Sequence, residues 1–302
     1  MSLHWQRRIK RIFGSDALDW VDRSYLTDWI VVAAFWGLSE LAGRITVFER
    51  DFYPTDPIIN HPHKKNQISG SSNHLIALLV PGAAVLATSL YQLSFVSLHH
   101  GLLALLAARG MTRLFTNILK NKVGRLRPDF LSRCKWDTEK LKCTGKADNI
   151  LDGRRSFPSG HSSAAFAGMT FLAFWLAGQT AAWCFQAQLP AASLRSSRLA
   201  RFCFTLLPIW WAIYVGVTRV EDYRHHKEDV IVGGLMGIIC ASISYLAFWP
   251  SPFSESSFQP YTYGQPRTLS SSDTVLYSQS DSRRRTEADF ELSRLEESDL
   301  DV

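Results

Sequence analysis

Apolar residues gather into six runs along the first 250 positions, at about 29–47, 75–94, 97–119, 161–182, 202–218 and 229–249. Each approaches the ~20 residues that a helix needs to cross a bilayer. The pattern predicts an all-α, polytopic membrane protein built as a six-transmembrane-helix bundle. Pro81 and Pro208 fall inside runs, which membrane helices tolerate. Six spans put both termini on one side. Trp29, Trp183 and Trp249 then fall at that side's interface, as an aromatic belt would.

Four charges interrupt the runs: Glu40 and Arg44 in the first, Arg109 and Arg113 in the third. A lone charge at the bilayer centre costs about 3 kcal/mol or more, so partners are expected. Glu40 lies seven residues below the end of its run at Val47, and Arg113 seven below Lys120. At about 1.5 Å per residue both sit ~10 Å deep. That equal depth predicts a Glu40–Arg113 ion pair. The competing reading puts Arg113 on the wet floor of a polar site.

The flanks differ from the runs. Residues 1–24 form a basic segment in which Trp5, Ile9, Ile12 and Phe13 recur at helical spacing among Arg7, Arg8, Lys10 and Arg11. This suits a short helix on an anionic inner leaflet, or a solvated basic tail. Residues 1–28 hold no apolar h-region, so no secretory signal is expected. Residues 251–302 are Ser-rich, carry ten acidic and five basic side chains, and lack apolar periodicity. They are expected to form a disordered cytoplasmic tail, with Arg283-Arg284-Arg285 beside Thr286 as a phosphorylation context. The domain between them spans 25–250.

Net charge is +6 overall, so the first 250 residues carry +11 against −5 in the tail. Long apolar runs separate these cations. That favours a membrane protein with an anionic substrate over a nucleic-acid binder. The N-terminal segment and the 183–201 loop are basic and read as cytoplasmic. The 120–155 loop carries eleven Lys and Arg, yet six spans place it outside. Those cations therefore have a task other than orientation. Cys184, Cys203 and Cys240 lie in or beside apolar runs and read as core residues. Cys134 and Cys143 share the polar loop and can bridge if it faces an oxidising space. The first outer loop, 48–73, is rich in Pro, His and Asn and shows no clear chemistry.

Three outer segments hold the candidate chemistry. Lys120 closes the third run, and Arg127-Pro128 follows. Arg155-Ser156-Phe157-Pro158-Ser159-Gly160-His161 opens the fourth. Here Pro158 and Gly160 predict a sharp turn and Ser159 a helix N-cap. Thr218-Arg219, His225 and Asp229 lead into the sixth. Six spans place all three at one membrane face. The residue types suit phosphoryl transfer. Lys120, Arg127 and Arg219 can neutralise phosphate oxygens. Backbone N–H groups of Ser159 and Gly160 add neutral donors. His225 is a candidate nucleophile, with Asp229 four residues on. His161 can protonate the leaving oxygen and then activate water. His226 is equally reachable from Asp229, so spacing does not choose between the two histidines. No Asp/Glu cluster of the magnesium-holding kind accompanies these residues, and no metal or cofactor is expected.

Lys120-x6-Arg127-Pro128, Pro158-Ser159-Gly160-His161 and Arg219-x5-His225-x3-Asp229 together resemble the signature of the type 2 phosphatidic acid phosphatase (PAP2) superfamily, over roughly residues 25–250. The surrounding stretches KNKVGRLRPDFLSRC, LDGRRSFPSGHSS and EDYRHHKEDV look like those of fungal diacylglycerol pyrophosphate phosphatases and lipid phosphate phosphatases. Thr218 stands where the family usually has Ser, and a hydroxyl remains. The resemblance implies magnesium-independent hydrolysis of phosphatidate, lysophosphatidate and diacylglycerol pyrophosphate. The active site would lie on the lumenal or outer face of a vacuolar, endomembrane or plasma membrane. It implies His225 as nucleophile, passing through a phosphohistidine, with Asp229 as its partner and His161 as acid. Lys120, Arg127, Ser159, Gly160 and Arg219 would hold phosphate. The expected partners are phospholipids in the bilayer, not nucleic acid. The preferred lipid and the oligomeric state stay open. Rival readings are a catalytically silent scaffold and a vanadate-binding haloperoxidase, which six spans disfavour.

Overall fold

The computed structural model describes residues 3–14, 17–186 and 197–263. The tail expected to be disordered and the middle of the 183–201 loop lie outside the described residues. A first helix, α1 (Leu3–Phe13), precedes six long ones: α2 (Ser24–Gly43), α3 (Gly70–Tyr91), α4 (Phe95–Val123), α7 (Gly160–Thr180), α8 (Arg198–Glu221) and α9 (Lys227–Phe248). Between α4 and α7 lie two short helices, α5 (Phe130–Cys134) and α6 (Ala147–Gly153). An antiparallel ribbon accompanies them, β1 (Trp136–Asp137) with β2 (Lys142–Cys143), Trp136 facing Cys143.

The six long helices coincide with the six apolar runs. Among the described residues α3, α4, α8 and α9 are long and apolar enough to cross a membrane. Composition does not qualify α2, which carries Asp28 and Glu40, or α7, which is rich in Gly, Ser and Thr. Several helices begin before their apolar run does. Ser69, Ser94, Ser159 and Ser197 each cap a helix by accepting a backbone N–H three residues on. These polar caps satisfy donors that the first turn would otherwise leave unpaired.

Helix α7 is the centre of the bundle, packing on α3, α4, α8 and α9, while α2 packs on α4. Its Phe171 and Trp175 meet Val85, Leu105, Tyr245 and Trp249 in the main core. Close approach needs small residues. A Cβ on Gly233 of α9 would strike the Ser159 carbonyl, so this glycine sets how near α9 comes to the start of α7. Outward faces keep large apolar side chains such as Leu79, Trp210 and Ile239 exposed. A lipid-facing surface requires this.

Three expectations change. Trp183 and Trp249 are buried rather than belt-forming. Trp183 donates to Thr205 Oγ1 at 2.8 Å, and Trp249 stacks edge-on against Trp175. Cys203 is exposed on α8 rather than in the core. The loop before α3 is not idle. His63 binds Asp129 at 2.6 Å, and Gln67 binds Asp222 at 3.0 Å. It straps the segments that follow α4 and α8.

The Cys134–Cys143 bridge is formed. The Glu40–Arg113 pair is also present, at 2.6 Å, tying α2 to α4. Arg113 lines the polar cavity as well, so both readings of that arginine hold. Removing Glu40 strands a cation at membrane depth. Glu40→Ala is expected to cost about 2 kcal/mol, read as a lower thermal midpoint in detergent. The swap of Glu40→Arg with Arg113→Glu is expected to recover part of it. A double variant no better than the worse single one would show that the pair does not couple.

Candidate active site

Three turns converge on one end of the bundle. Helix α4 stops at Gly124, in the left-handed region at φ 59°, with its N–H on the Lys120 carbonyl. A side chain there would strike the Phe48 carbonyl, so only glycine lets the chain leave α4 at this angle. The exit places Arg127 three residues on, and its N–H then bonds the Gly153 carbonyl at 2.9 Å. The chain returns through a cis Phe157–Pro158 bond to Ser159, which caps α7. The sharp turn is there, bending at Phe157 and Pro158, but Gly160 takes no positive φ. It is the first residue of α7, and a Cβ on it would lie 3.5 Å from Lys120 Cε. Its missing side chain keeps room beside the lysine.

Between these turns lies a polar cavity of about 340 Å³. Lys120, Arg127, Gly160, His161 and His225 all line it, brought together from three distant segments. Ser159, Arg219 and Asp229 do not line it. Lys120 Nζ donates to the Arg155 carbonyl at 3.3 Å, and Arg155 joins the lining. Arg127 is buried and donates from Nη2 to Asp152 Oδ1 at 2.8 Å, while Arg133 holds the other Asp152 oxygen at 2.7 Å. Burial raises the Asp152 pKa, but Arg127 and Arg133 outweigh it and hold the carboxyl at about 2. Asp152 is therefore a fixed negative charge beside the cations.

His225 is 2 % exposed, and its Nδ1 meets the Ser156 carbonyl at 2.7 Å. A carbonyl can only accept, so Nδ1 carries the proton and Nε2 keeps its lone pair. Burial, reinforced by Arg127 and Lys120, pushes the His225 pKa down to about 3. The ring is thus neutral near pH 7, as a nucleophile must be. His226 turns elsewhere: its Nε2 meets the Leu126 carbonyl at 3.1 Å, and it caps α9. Geometry separates two histidines that spacing could not.

Asp229 sits 3.8 Å from His225 Nδ1, beyond hydrogen-bond reach. It accepts instead from Ser156 Oγ, from the His226 N–H at 3.0 Å and from Arg125 Nη1 at 2.7 Å. It grips the residue whose carbonyl grips His225. Ser159 donates its N–H to the Asp229 carbonyl at 2.9 Å, so that donor does not face the cavity. Arg219 is fully buried, and Thr218, Asp222 and Asn66 take its guanidinium. His161 presents a buried Nε2 without a partner to the cavity.

Sequence reasoning passed over Ser156, Asp152, Arg125 and the lining role of Arg155. Their signal was weak. Ser156 acts largely through a carbonyl that any residue has, and the others are single charges within a crowded loop.

Known sequences place these turns in context. The PAP2 superfamily model matches residues 101–252, which hold all three motifs. A probable lipid phosphate phosphatase 4 of Arabidopsis thaliana is 34 % identical over 254 residues, covering 80 % of this chain and 79 % of that one. Diacylglycerol pyrophosphate phosphatase 1 of Saccharomyces cerevisiae is 36 % identical over 229 residues, covering 70 % and 75 %. Phospholipid phosphatase 1 of Rattus norvegicus is 31 % identical over 231 residues, covering 68 % and 77 %. No solved structure matches. With most of its length matched by phosphatases, and the three segments of the PAP2-matched region closing around one cavity, the chain belongs to the PAP2 superfamily and is a membrane-embedded phosphatase.

Proposed function

We propose that the protein dephosphorylates phosphatidate, lysophosphatidate and diacylglycerol pyrophosphate without magnesium, through a phosphohistidine on His225. The carrying observation is the cavity in which His225 and His161 meet Lys120, Arg127 and Arg155. The names of the relatives support lipid phosphates as the substrate class. The Cys134–Cys143 bridge supports an oxidising, lumenal or outer face for the site, in a vacuolar, endomembrane or plasma membrane.

The chemistry runs in two steps. His225 Nε2 attacks phosphorus in line with the leaving oxygen. The N–P bond forms as the P–O bond breaks, and the electron pair leaves on oxygen, which takes a proton from His161, held charged there by the bound phosphate dianion. Water then attacks phosphorus, gives a proton to His161 and returns the N–P electron pair to Nε2. Lys120, Arg127 and Arg155 neutralise the non-bridging oxygens throughout, the work a metal ion does in other phosphatases. Arg127 exchanges its Asp152 bond for phosphate as the substrate enters. Arg219 and Ser159, taken up by internal bonds, hold the third and second turns in shape around the phosphate.

Purified protein is expected to release phosphate from phosphatidate micelles in excess EDTA. Release that needs added magnesium would refute the metal-free mechanism. Absence of release from all three lipids would favour a silent scaffold.

A further inference from the structure

The cavity is larger than its motif residues require. It continues along α4 past Lys120 to Thr116, Arg113 and Arg109, one stripe at helical spacing. At about 1.5 Å per residue, Arg113 begins ~10 Å and Arg109 ~16 Å further into the bundle. His74 of α3 faces the same space. None of these residues belongs to the three motifs.

We infer that Arg109, Arg113 and His74 form a second anion subsite, which holds the inner phosphate of a lipid diphosphate while the outer phosphate reacts at His225. The inference rests on the lipid phosphatase reading above. Four observations carry it.

The first is the state of Arg109. It is 5 % exposed, donates from Nη1 to the Ala164 carbonyl at 2.6 Å and from Nη2 to His74 Nδ1 at 3.0 Å, and keeps a buried Nε with no partner. Among the described residues no carboxylate pairs with it. A buried, unpaired guanidinium lining a polar cavity is a group that awaits an anion.

The second is the tautomer this imposes. Arginine can only donate, so His74 Nδ1 accepts and its Nε2 carries a proton. That leaves a second donor beside the first.

The third is charge. Arg109, Arg113, Lys120, Arg127 and Arg155 line the cavity with a single carboxylate, Asp152, and Glu40 neutralises Arg113. The lining stays cationic beyond those two carboxylates. A phosphate monoester brings only about −1.5 to −2 at pH 7. The ionised inner phosphate of a diphosphate supplies the remaining negative charge.

The fourth is position. The α3 backbone at Gly70 passes close to the His161 ring, its would-be Cβ 3.7 Å from Cε1, and His74 lies one turn further in. The subsite therefore adjoins the group that serves the leaving oxygen. When a lipid diphosphate reacts, the bond from the outer phosphorus to the bridging oxygen breaks, and the electron pair departs on phosphatidate. Arg109, Arg113 and the His74 N–H meet the charge that develops on that leaving phosphate. A lipid monophosphate leaves as an alkoxide without oxygens to fill the subsite.

The test compares kcat/KM for diacylglycerol pyrophosphate and phosphatidate of equal chain length in detergent micelles. It uses wild type, His74→Leu, and the double variant Glu40→Gln with Arg113→Gln, which removes the cation without stranding its carboxylate. Each variant is expected to lose about tenfold more on the diphosphate than on the monophosphate. Methylenediphosphonate is expected to inhibit wild type more strongly than methylphosphonate, and that advantage is expected to shrink in both variants. A wild type active on both lipids, with variants that lose equally on each or keep both inhibitors' order, would overturn the subsite. A wild type inactive on both lipids would overturn the functional reading itself and the subsite with it.

Discussion

His225→Ala is expected to lose at least about 10⁴-fold in kcat, while His226→Ala keeps activity within about tenfold of wild type. The two residues are adjacent and both lie within four positions of Asp229, yet their surroundings differ. His225 lines the cavity, and its Nδ1 is fixed on the Ser156 carbonyl. The other nitrogen thereby holds a lone pair, and burial keeps the ring neutral. His226 spends its ring nitrogen on the Leu126 carbonyl and its position on capping α9. Its loss weakens a helix start and leaves the nucleophile in place. Phosphate release reads the rates. Rapid acid-free quenching with ³²P-labelled substrate reads the intermediate, an acid-labile phosphoramidate present in His226→Ala and absent in His225→Ala. Reversed behaviour of the two variants would transfer the nucleophile to His226.

What the sequence disclosed and what it hid follow from the range of the forces involved. Apolar runs disclose helices because a bilayer demands a fixed length of them. The Glu40–Arg113 pair was legible because depth along two helices can be counted from their ends. Gathering of Lys120, Arg127, His161 and His225 followed from placing three run boundaries at one face. Partners contributed by the backbone were not legible. The Ser156 carbonyl under His225 and the Asp229 carbonyl over Ser159 carry no residue signature. Arg219 read as a phosphate ligand because it is the cation of the third motif, six residues before His225. In the fold Asp222, three residues on, and Asn66, from the preceding loop, claim it first. Arg109 read only as a buried charge, because its facing His74 comes from another helix 35 residues away.

Asp229→Asn is expected to lower kcat by about 10²–10⁴-fold with little change in KM. The carboxylate does not line the cavity, so it acts on His225 rather than on substrate. It has two routes. One is mechanical: Oδ2 receives Ser156 Oγ and the His226 N–H, which fixes the Ser156 carbonyl against Nδ1. The other is electrostatic: a negative charge 3.8 Å from Nδ1 favours the cationic ring that forms when Nε2 bonds phosphorus. Asparagine fails both. If its oxygen stays on Ser156 and His226, its NH₂ points at the Arg125 guanidinium, donor against donor. If the amide flips, the same conflict moves to the His226 N–H. The charge is lost in either orientation. Ser156→Ala separates the routes, because it removes the hydroxyl link while keeping both the carbonyl and the charge. Its expected loss is about tenfold, the weight of one hydrogen bond. Two results would sink the positioning role: Asp229→Asn within tenfold of wild-type kcat, or a loss that appears in KM alone. The second would mean that Asp229 shapes the phosphate site through Arg125 rather than the nucleophile through Ser156.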